Sequence, residues 1–564
     1  MLIALLLVAT ATAAIPNADD DDVSIQVAGL SSTNTEGLET VISAANLDSS
    51  QDASGENRSL NTGLATSSLA GSIAGGTRCA VQGNETTWLE CIQVAQQERL
   101  EHGQLAARAP ATGLEVSQAL GRGMNFGDAL DAPREGDWST GIEASHFRLV
   151  AEAGFDHVRL PVSWAGYAST SAPFTIRGGN DPTIDHPDYN NIWERVDWAI
   201  DQAEANDLMI IINMHHFEDL HAAPLLHRDR VIALWEQIAT RYANAGDHVL
   251  FELLNEPHGR FTESPELWND LLVDLLDVVR ESNPTRPVLV GPVSYNAVSH
   301  IETLEVPDDD YLISSVHIYE PFDFTHQGAV WINPIRPLGE SWSPSEVGIS
   351  ERLEDRSWET DVELIGRQLN IEFDRQWAGF ALDFTDEVDF QSLRFQADGP
   401  IRLRAGCRVG NFEALDQPDI VVTDNFEWYV VDISDCPANS AGFGLLNASS
   451  VSNQVRLANL QVCSEAYGCE LVVTDAAEEL ERWVERTILW GARNDVPVHI
   501  GELGTFAADG RVPIADRAAW TETIVDLADR HDIPFAYWEF HSHFGAYDFS
   551  RNAWNRPILD ALIG

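Results

Sequence analysis

The stretch HVLFELLNEPHG (residues 248–259) is an apolar, strand-like run that ends in Asn-Glu-Pro. Proline cannot continue a hydrogen-bonded ladder, so Pro257 predicts the end of a strand with Glu256 at its carboxyl edge. Side chains alternate along a strand, so Glu252 is expected on the same face as Glu256, about 13 Å deeper at ~3.3 Å per residue. The stretch therefore predicts one acid at a strand mouth and one buried acid, paired with an Arg or a His.

Seven further strand-like runs alternate with amphipathic helical stretches along the chain. They are GRGMNFG (121–127), HVRLPV (157–162), LMIIINMHH (208–216), PVLVGP (287–292), LISSVHIYE (312–320), PVHIGELG (497–504) and FAYWEF (535–540). Strands that alternate with helices pair in parallel, and eight of them close a (β/α)₈ barrel. The alternative, an open doubly wound sheet, usually has a glycine-rich phosphate turn, which GMNFGDAL matches poorly. The sequence predicts an α/β fold of the TIM-barrel type.

About 150 residues separate the sixth strand from the next helix, which is too long for an ordinary loop. From about residue 347 to 474, short β runs alternate with polar turns, a pattern typical of an antiparallel sandwich or jelly roll. We therefore expect a barrel of residues 116–346 and 475–564, with an all-β domain (347–474) inserted after strand six. Barrel loops are where insertions are best tolerated.

The first 115 residues are expected to lie outside the barrel. Residues 1–14, MLIALLLVATATAA, resemble a secretory signal peptide. Residues 15–76 are rich in Ser, Thr, Gly and Asp and predict a disordered segment, and residues 77–115 predict a short helical lead-in. The signal predicts a secreted protein, extracellular or periplasmic, and an uncleaved anchor is the alternative.

Six cysteines are present, none with the CxxC spacing of a zinc site. Export favours disulfides. Cys79 with Cys91, and Cys463 with Cys469, are near neighbours in sequence, although six cysteines allow 15 pairings.

The charge balance bears on the partners that the chain can bind. The chain has 34 basic residues, all of them Arg, against 89 acidic residues, and its formal net charge is -55. This charge repels nucleic acid and anionic membranes. After the N-terminus no stretch is long and apolar enough to span a bilayer. A neutral substrate fits, as does a salty habitat, and a general acidic bias of the source proteome is the alternative.

In a TIM barrel, functional side chains collect at the carboxyl ends of the strands. The predicted strand ends carry Arg159, His215, His216, Asn255, Glu256, His317, Tyr319, Glu502 and Trp538. Two carboxylates on different strands can divide the work of cleaving a glycosidic bond, one protonating the leaving oxygen and the other attacking or activating water. An aromatic ring can stack on a sugar face.

Six motifs carry a family resemblance: VRLPVSW, INMHHFE, FELLNEPHG, HIYEPFDFTHQGAVW, HIGELGTF and AYWEFHSHFGAYD. In this order they resemble glycoside hydrolase family 5, and most of all its endo-β-1,4-glucanases, some of which also cleave mannan. The resemblance covers roughly residues 116–346 and 475–564. GMNFGDALDAP departs from the family pattern, which commonly has Asn where this chain has Asp128.

The resemblance implies a retaining mechanism without a cofactor or metal, with Glu256 as general acid/base and Glu502 as nucleophile. It further implies that Asn255 binds the sugar 2-hydroxyl, and that Arg159 and Tyr319 hold Glu502 ionised. Supporting or sugar-contacting roles are expected for His317, His215, His216, Trp538, Asn125, His326 and Trp331. The expected partner of this monomeric enzyme is a β-glucan or mannan polysaccharide, with neither nucleic acid nor membrane.

Several alternatives remain open at the sequence level. The enzyme could be a β-mannanase or mixed-linkage β-glucanase, or the barrel could be a non-catalytic glycan-binding relic. MHHFEDLHAAPLLH could hold a metal, but His215 and His216 are adjacent on a predicted strand and should point to opposite faces. DFTDEVDF (383–390) is either a Ca²⁺ site or a solvated loop.

The inserted domain also has two interpretations, a carbohydrate-binding module or a structural cap without a ligand. Its candidate aromatic platforms are Trp358, Trp377, Trp428 and Tyr429.

Overall fold

The computed structural model describes residues 111–179, 190–350, 352–385, 390–437, 440–464 and 466–564. The predicted signal peptide, the Ser/Thr/Gly/Asp-rich segment, most of the lead-in and the Cys79–Cys91 pair lie outside these residues. Within them, no helix combines the length and the apolar character needed to cross a membrane.

Eight parallel strands form a closed barrel in the order β1-β2-β3-β4-β5-β6-β21-β22. They are β1 (Arg122–Asn125), β2 (His157–Leu160), β3 (Met209–Asn213), β4 (Val249–Glu252), β5 (Val288–Val290), β6 (Leu312–Ile318), β21 (Val498–Leu503) and β22 (Phe535–Tyr537). The predicted TIM barrel is confirmed. All eight strands are shorter than the predicted runs, and the difference affects the site most at β3, which ends at Asn213, and at β4, which ends at Glu252.

Amphipathic helices cover the outside of the barrel and bury their apolar sides against it. The longer ones are α2 (Ala144–Ala153), α3 (Ile192–Ala205), α5 (Pro224–Arg241), α7 (Glu266–Ser282), α10 (Ala476–Asn494), α11 (Ile514–Arg530) and α12 (Arg556–Ile563). Short helices are α4 (Glu218–Ala222), α6 (Arg260–Glu263), α8 (Val293–Asn296) and α9 (Phe322–Thr325).

Helix α1 (Gly113–Leu120) packs on the barrel interior at the amino-terminal ends of the strands. Its Val116 and Leu120 join one apolar cluster with Ile211, Leu250, Leu289 and Ile313, which come from four consecutive strands. Thr112 and Glu115 close a capping box at the helix start, each bonding the backbone N–H of the other. This cluster closes the amino-terminal end of the barrel and is called the floor cluster. The polar side chains lie at the opposite end of the barrel.

Between β6 and α10 the chain forms two antiparallel sheets that share one apolar core. The first sheet has the order β16-β12-β18-β10-β9 with β19 attached to β18, and the second has the order β14-β13-β17-β11-β8 with β15 attached to β13. The first contains β9 (Thr360–Ile365), β10 (Gln368–Phe373), β12 (Phe390–Asp398), β16 (Glu427–Asp432), β18 (Asn453–Ser464) and β19 (Gly468–Leu471). The second contains β8 (Leu353–Asp355), β11 (Gly379–Phe384), β13 (Ile401–Val409), β14 (Asn411–Ala414), β15 (Ile420–Val422) and β17 (Gly442–Asn447). An all-β sandwich inserted after strand six is confirmed.

The two chain ends of the insert form a narrow stem. Strand β7 (Val347–Ile349) pairs antiparallel with β20 (Val473–Asp475). Helix α10 then begins with a capping box, in which Asp475 accepts a bond from the Glu478 N–H at 2.9 Å and Glu478 accepts one from the Asp475 N–H at 3.0 Å. The chain therefore leaves and re-enters the barrel at one place.

Two disulfides lie in the insert, Cys407–Cys436 and Cys463–Cys469. The second pair was predicted from its short spacing and is confirmed. In DFTDEVDF (383–390), interpreted as either a Ca²⁺ site or a solvated loop, Asp383 is paired with Arg408, whose Nη2 donates to Oδ2 at 3.1 Å. Residues 386–389 of that stretch lie outside the described part of the chain.

Candidate active site

Arg159 lies at the centre of the polar end of the barrel and is fully buried. Its Nε and Nη2 donate to the two oxygens of Glu252 at 2.6 and 2.8 Å. Its Nη1 donates to Glu502 at 2.8 Å and to Asn125 at 2.9 Å, and its Nη2 also donates to Asn255 at 2.6 Å. Such a fork of fixed donors can hold several acceptors in one plane. The predicted buried partner of Glu252 is therefore this arginine.

Glu256 does not follow Glu252 along a strand, and that prediction is wrong. Strand β4 ends at Glu252, the Asn255 N–H bonds the Met214 carbonyl at 2.9 Å, and Glu256 has a φ of 49°. An L-residue at positive φ breaks the extended backbone, so the same-face argument and the 13 Å spacing do not apply beyond Glu252.

Glu502 stands near the end of β21, where a bulge shifts the register against both neighbouring strands. Bulges re-aim side chains. Here Glu502 accepts a bond from the Tyr319 hydroxyl at 2.9 Å as well as the one from Arg159. His317 lies between the two candidate acids, with its Nδ1 2.9 Å from Glu256 Oε1 and 3.6 Å from Glu502 Oε2. One carboxylate oxygen of Glu256 lies within 4.8 Å of one carboxylate oxygen of Glu502.

The surroundings favour different protonation states for the two acids. Burial raises the pKa of Glu256 to about 7, against the charges of His258 and Arg159. Burial also raises the pKa of Glu502, but the Arg159 charge and the Tyr319 hydrogen bond oppose this shift. Burial lowers the pKa of His317 to about 4, so this ring is neutral at pH 7. Because a guanidinium and a hydroxyl donate directly to Glu502 only, it is the better stabilised carboxylate.

His215, His216 and Trp538 line one side of the site, as the sequence predicted for the histidines and the indole. The His215 ring lies parallel to Trp538, with 5.6 Å between ring centroids and 2° between planes. His216 meets the edge of Trp138 at 5.7 Å. Both histidines follow the end of β3, so strand alternation does not apply to them.

The expectation that the two histidines point apart is therefore wrong. One nitrogen of His215, one of His216 and an oxygen of Asp131 lie within 4.8 Å of one another. The Asp131 oxygens, however, already accept the N–H groups of Ala129 at 2.8 Å and Asp128 at 3.1 Å. This cluster has the composition of a metal site, but its carboxylate is committed to the backbone.

Glu218, His221 and His258 form a second cluster of the same type beside Glu256. The two imidazole rings are stacked, with centroids 3.9 Å apart and 20° between planes. The nitrogen lone pairs lie in these two nearly parallel planes, an arrangement that is unfavourable for binding one ion. His258 instead bonds the Glu256 carbonyl at 2.7 Å through Nδ1, and its Nε2 lies 3.3 Å from Glu218.

The remaining predicted site residues occupy different depths. Asn125 is buried beneath the site, with Nδ2 near the carbonyls of three residues and Oδ1 bound by Arg159. His326 is also buried and packs its ring on Phe322 at 4.1 Å and against Tyr319 at 4.9 Å. Trp331 is 52% exposed. Asn125 and His326 therefore support the site from behind, whereas Trp331 is open to a ligand.

Glu539 was missed by the sequence analysis. It follows Trp538, is completely buried, and neither carboxylate oxygen has a partner within the described part of the chain. Burial raises its pKa well above the usual value, and Asp128 and Asp131 add to the shift. A side chain at Gly127 would lie 2.5 Å from the Trp538 ring, so the glycine is required there. The sequence feature that could have identified Glu539 is its position directly after Trp538, at the end of the eighth strand.

Paired carboxylates at the carboxyl end of a closed (β/α)₈ barrel define the class of barrel glycoside hydrolases. The model of the cellulase family, glycosyl hydrolase family 5, matches residues 119–360. This match, which includes the first six barrel strands, supports glycoside hydrolase family 5 for residues 119–360.

Curated and solved relatives agree with this family. Endoglucanase H of Acetivibrio thermocellus is 33% identical over 213 residues, which are 38% of this chain and 22% of that protein. Cellodextrinase A of Ruminococcus flavefaciens is 28% identical over 261 residues, 44% of this chain and 72% of that protein. The crystal structure of endoglucanase Cel5A from Thermotoga maritima superimposes with a TM-score of 0.53 at 26% identity, covering 80% of this chain and 100% of that one.

The chain thus spans 22% of the length of Endoglucanase H, and 55% of that of Endoglucanase C from the same organism.

Proposed function

We propose that this protein is a retaining endo-β-1,4-glucanase. The observation that carries the proposal is the separation of the two acids, since an oxygen of Glu256 and one of Glu502 lie within 4.8 Å. Retaining glycosidases hold their carboxyl groups about 5–5.5 Å apart, whereas inverting ones need about 6.5–9.5 Å to fit a water. The separation favours direct attack by one carboxylate on the sugar.

In this mechanism Glu502 attacks the anomeric carbon while Glu256 protonates the leaving oxygen. A pKa of about 7 suits Glu256 to donate that proton near neutral pH. Once Glu502 has formed the glycosyl ester its negative charge is gone, so the pKa of Glu256 falls. Glu256 then accepts a proton from the incoming water, and the ester is hydrolysed with retention.

The other side chains hold the sugar and the two acids. Asn255 is anchored through Oδ1 by Arg159, which leaves its Nδ2 to donate to the sugar 2-hydroxyl. The Trp538 and His215 rings pack against the sugar next to the cleaved bond.

The relatives support a β-1,4-glucan as the substrate, since several are named endoglucanases. A β-mannanase or mixed-linkage β-glucanase activity is the second candidate. The observation favouring mannan is that Cel5A of Thermotoga maritima was solved with mannotriose as well as with cellobiose. Two disulfides in the insert support the proposal that the protein is secreted, and we propose that it acts as a monomer.

The proposal is tested first by reducing-sugar release from carboxymethylcellulose, mixed-linkage β-glucan and glucomannan. We expect release from the first two substrates. If folded protein cleaves none of the three, the proposal that it is an enzyme is refuted. Glucomannan cleaved alone would favour the mannanase.

The roles of the two acids are separated by azide. Glu256→Ala with azide and an activated β-glucoside should yield the β-glycosyl azide, because the glycosyl ester still forms and azide needs no general base. Glu502→Ala should lose activity, and azide should not restore a β-product. The opposite pattern would mean that the two roles are exchanged.

A further inference from the structure

We propose that the outer face of the first insert sheet is a second glycan site, a platform for a β-glucan chain away from the catalytic cleft. The glycan platform is defined by one row of side chains across five strands: Trp428, Gln396, Ala458 with Asn459, Gln368 and Ile365. The choice of ligand rests on the proposed function, whereas the existence of the platform rests on the sheet itself.

The row follows directly from the strand register. Trp428 of β16 pairs with Gln396 of β12, which pairs with Ala458 of β18, which pairs with Gln368 of β10, which pairs with Ile365 of β9. Directly paired residues point to the same face of a sheet. Neighbouring strands are about 4.8 Å apart, so five strands give a row about 19 Å long, enough for several consecutive sugars.

Burial shows which face this is. The neighbours of the row along the same strands, Tyr429, Phe395, Leu457 and Leu369, belong to or pack on the sandwich core. Trp428 and Ile365 are each 54% exposed at the two ends of the row. Ala458, in the middle, is 7% exposed, so its methyl group lies low between the longer side chains on either side of it.

Among the four candidate aromatic platforms, the structure selects Trp428. Tyr429 faces inward and stacks on Phe395 at 5.7 Å. Trp358 lies against Gly379 and donates from Nε1 to the Trp377 carbonyl at 3.1 Å. Trp377 is 45% exposed, but its ring is covered by the Arg404 guanidinium at 5.4 Å from the centroid.

Two amides beside Trp428 are held ready for hydroxyl groups. Asn459 Nδ2 donates to Gln396 Oε1 at 2.8 Å. This bond fixes both side chains and leaves Gln396 Nε2 as a donor and Asn459 Oδ1 as an acceptor. A sugar ring offers adjacent hydroxyls that both donate and accept, together with an apolar face for the indole. An aromatic ring next to a fixed amide pair matches that chemistry.

The charge pattern also favours a neutral ligand. Acidic and basic residues make up 22% of the chain, yet none stands in the row. The nearby Arg456 is neutralised by Asp398, with Nε to Oδ1 at 2.8 Å. A row of uncharged side chains in so acidic a protein suits an uncharged polymer better than a peptide or nucleic acid.

The test uses the full chain carrying Glu502→Gln, so that the polymer is not cut, run on native gels containing barley β-glucan. In this background we compare Trp428→Ala, Gln396→Ala, Trp538→Ala and the double Trp428→Ala/Trp538→Ala variant. Trp377→Ala is the matched control, because it removes an exposed tryptophan of the same domain outside the row. We expect Trp428→Ala to weaken retention at least threefold, Gln396→Ala to weaken it in the same direction, and the double variant to abolish it.

Retention that is unchanged in Trp428→Ala, or lowered equally by Trp377→Ala, would overturn the platform. Retention that depends on Trp428 in galactomannan gels only would overturn the choice of a glucan.

With Glu502 intact, Trp428→Ala should cleave cellotetraose as fast as the parent chain, because Trp428 lies outside the cleft. Retention through Trp428 in a chain that hydrolyses no glycan would leave the platform standing and refute the proposed enzyme, so the two failures are distinguishable.

Discussion

Arg159 binds two carboxylates, Glu252 with both oxygens and Glu502 with one. The consequence is chemical as well as structural. A guanidinium facing Glu502 alone would stabilise its carboxylate strongly and make it a poor nucleophile. Sharing the same charge with Glu252 weakens that effect while keeping the position of Glu502 fixed. The sequence could place Glu256 and Glu502 near strand ends, but it could not show that Glu252 and Glu502 share Arg159, because these three side chains come from three different strands.

The raised pKa of Glu256 makes folding stability depend on pH. The folded pKa of about 7 lies above the ordinary 4.5, so its contribution to stability is complete below pH 4.5 and is lost as the pH rises through 7. We expect Glu256→Gln to raise the free energy of unfolding by about 2 kcal/mol at pH 8, and far less at pH 4. Thermal unfolding at the two pH values measures this. The exposed Glu236→Gln is the control, and an equal effect of Glu256→Gln at both pH values would contradict the prediction.

The basic limb of the pH–rate profile should reflect the deprotonation of Glu256, and His258 should shift its position. Burial lowers its pKa, but the bonds to Glu218 and to the Glu256 carbonyl outweigh burial and raise it, and its positive charge lowers the pKa of Glu256. We expect His258→Ala to move the basic limb of kcat/KM to higher pH and to lower kcat, because the Glu256 backbone loses its support. Glu218→Gln keeps that support and should give a smaller shift in the same direction without the loss of kcat. A limb that stays in place in both variants would show that His258 acts only on packing.

At the scale of elements, the barrel strands were predictable and their ends were not. Alternating apolar runs located all eight strands, because parallel strands are buried on both faces. Residues 253–256 and 214–216 continue the same apolar and polar pattern after the ladder has ended, so the pattern alone extended β4 and β3 too far. The role of α1 was equally hidden, since a helix that closes the barrel floor has the same amphipathic pattern as one that packs outside.

Helix α1 is expected to contribute to stability and not to catalysis. Leu120 is fully buried in the floor cluster at the end opposite the two acids. Leu120→Ala should lower the free energy of unfolding by about 3 kcal/mol. Thr112→Ala, which removes the side-chain cap of the same helix, should cost about 1 kcal/mol. Chemical denaturation measures both. A fall in kcat of more than a few-fold in folded Leu120→Ala protein would show that the floor controls the geometry of the site.

At the scale of the whole molecule, the insert is joined to the barrel by a stem and by polar contacts beside it. Ser350 donates to Glu479 of α10 at 2.7 Å, and the Tyr467 hydroxyl contacts Glu302 next to the barrel. Arg486 of α10 lies over the Tyr467 ring at 4.0 Å. These contacts fix the insert to the wall of the barrel, whereas the two acids and Arg159 all come from barrel strands and the loops that directly follow them. Composition predicted a second domain, but only the structure shows that the site is complete without it.

Excising the insert should therefore leave an active barrel. The Ser350 N–H bonds the Val472 carbonyl at 2.9 Å, so a short Gly-rich turn can join these two residues across the stem. We expect this variant to unfold at a lower temperature, because Arg486 of α10 loses the Tyr467 ring, and to cleave cellotetraose with a kcat/KM within about threefold of the parent. Its retention by barley β-glucan should fall to that of the Trp428→Ala chain, which is the matched control. A folded, monomeric barrel that binds cellotetraose but does not cleave it would show that the insert shapes the catalytic site as well as carrying a platform of its own.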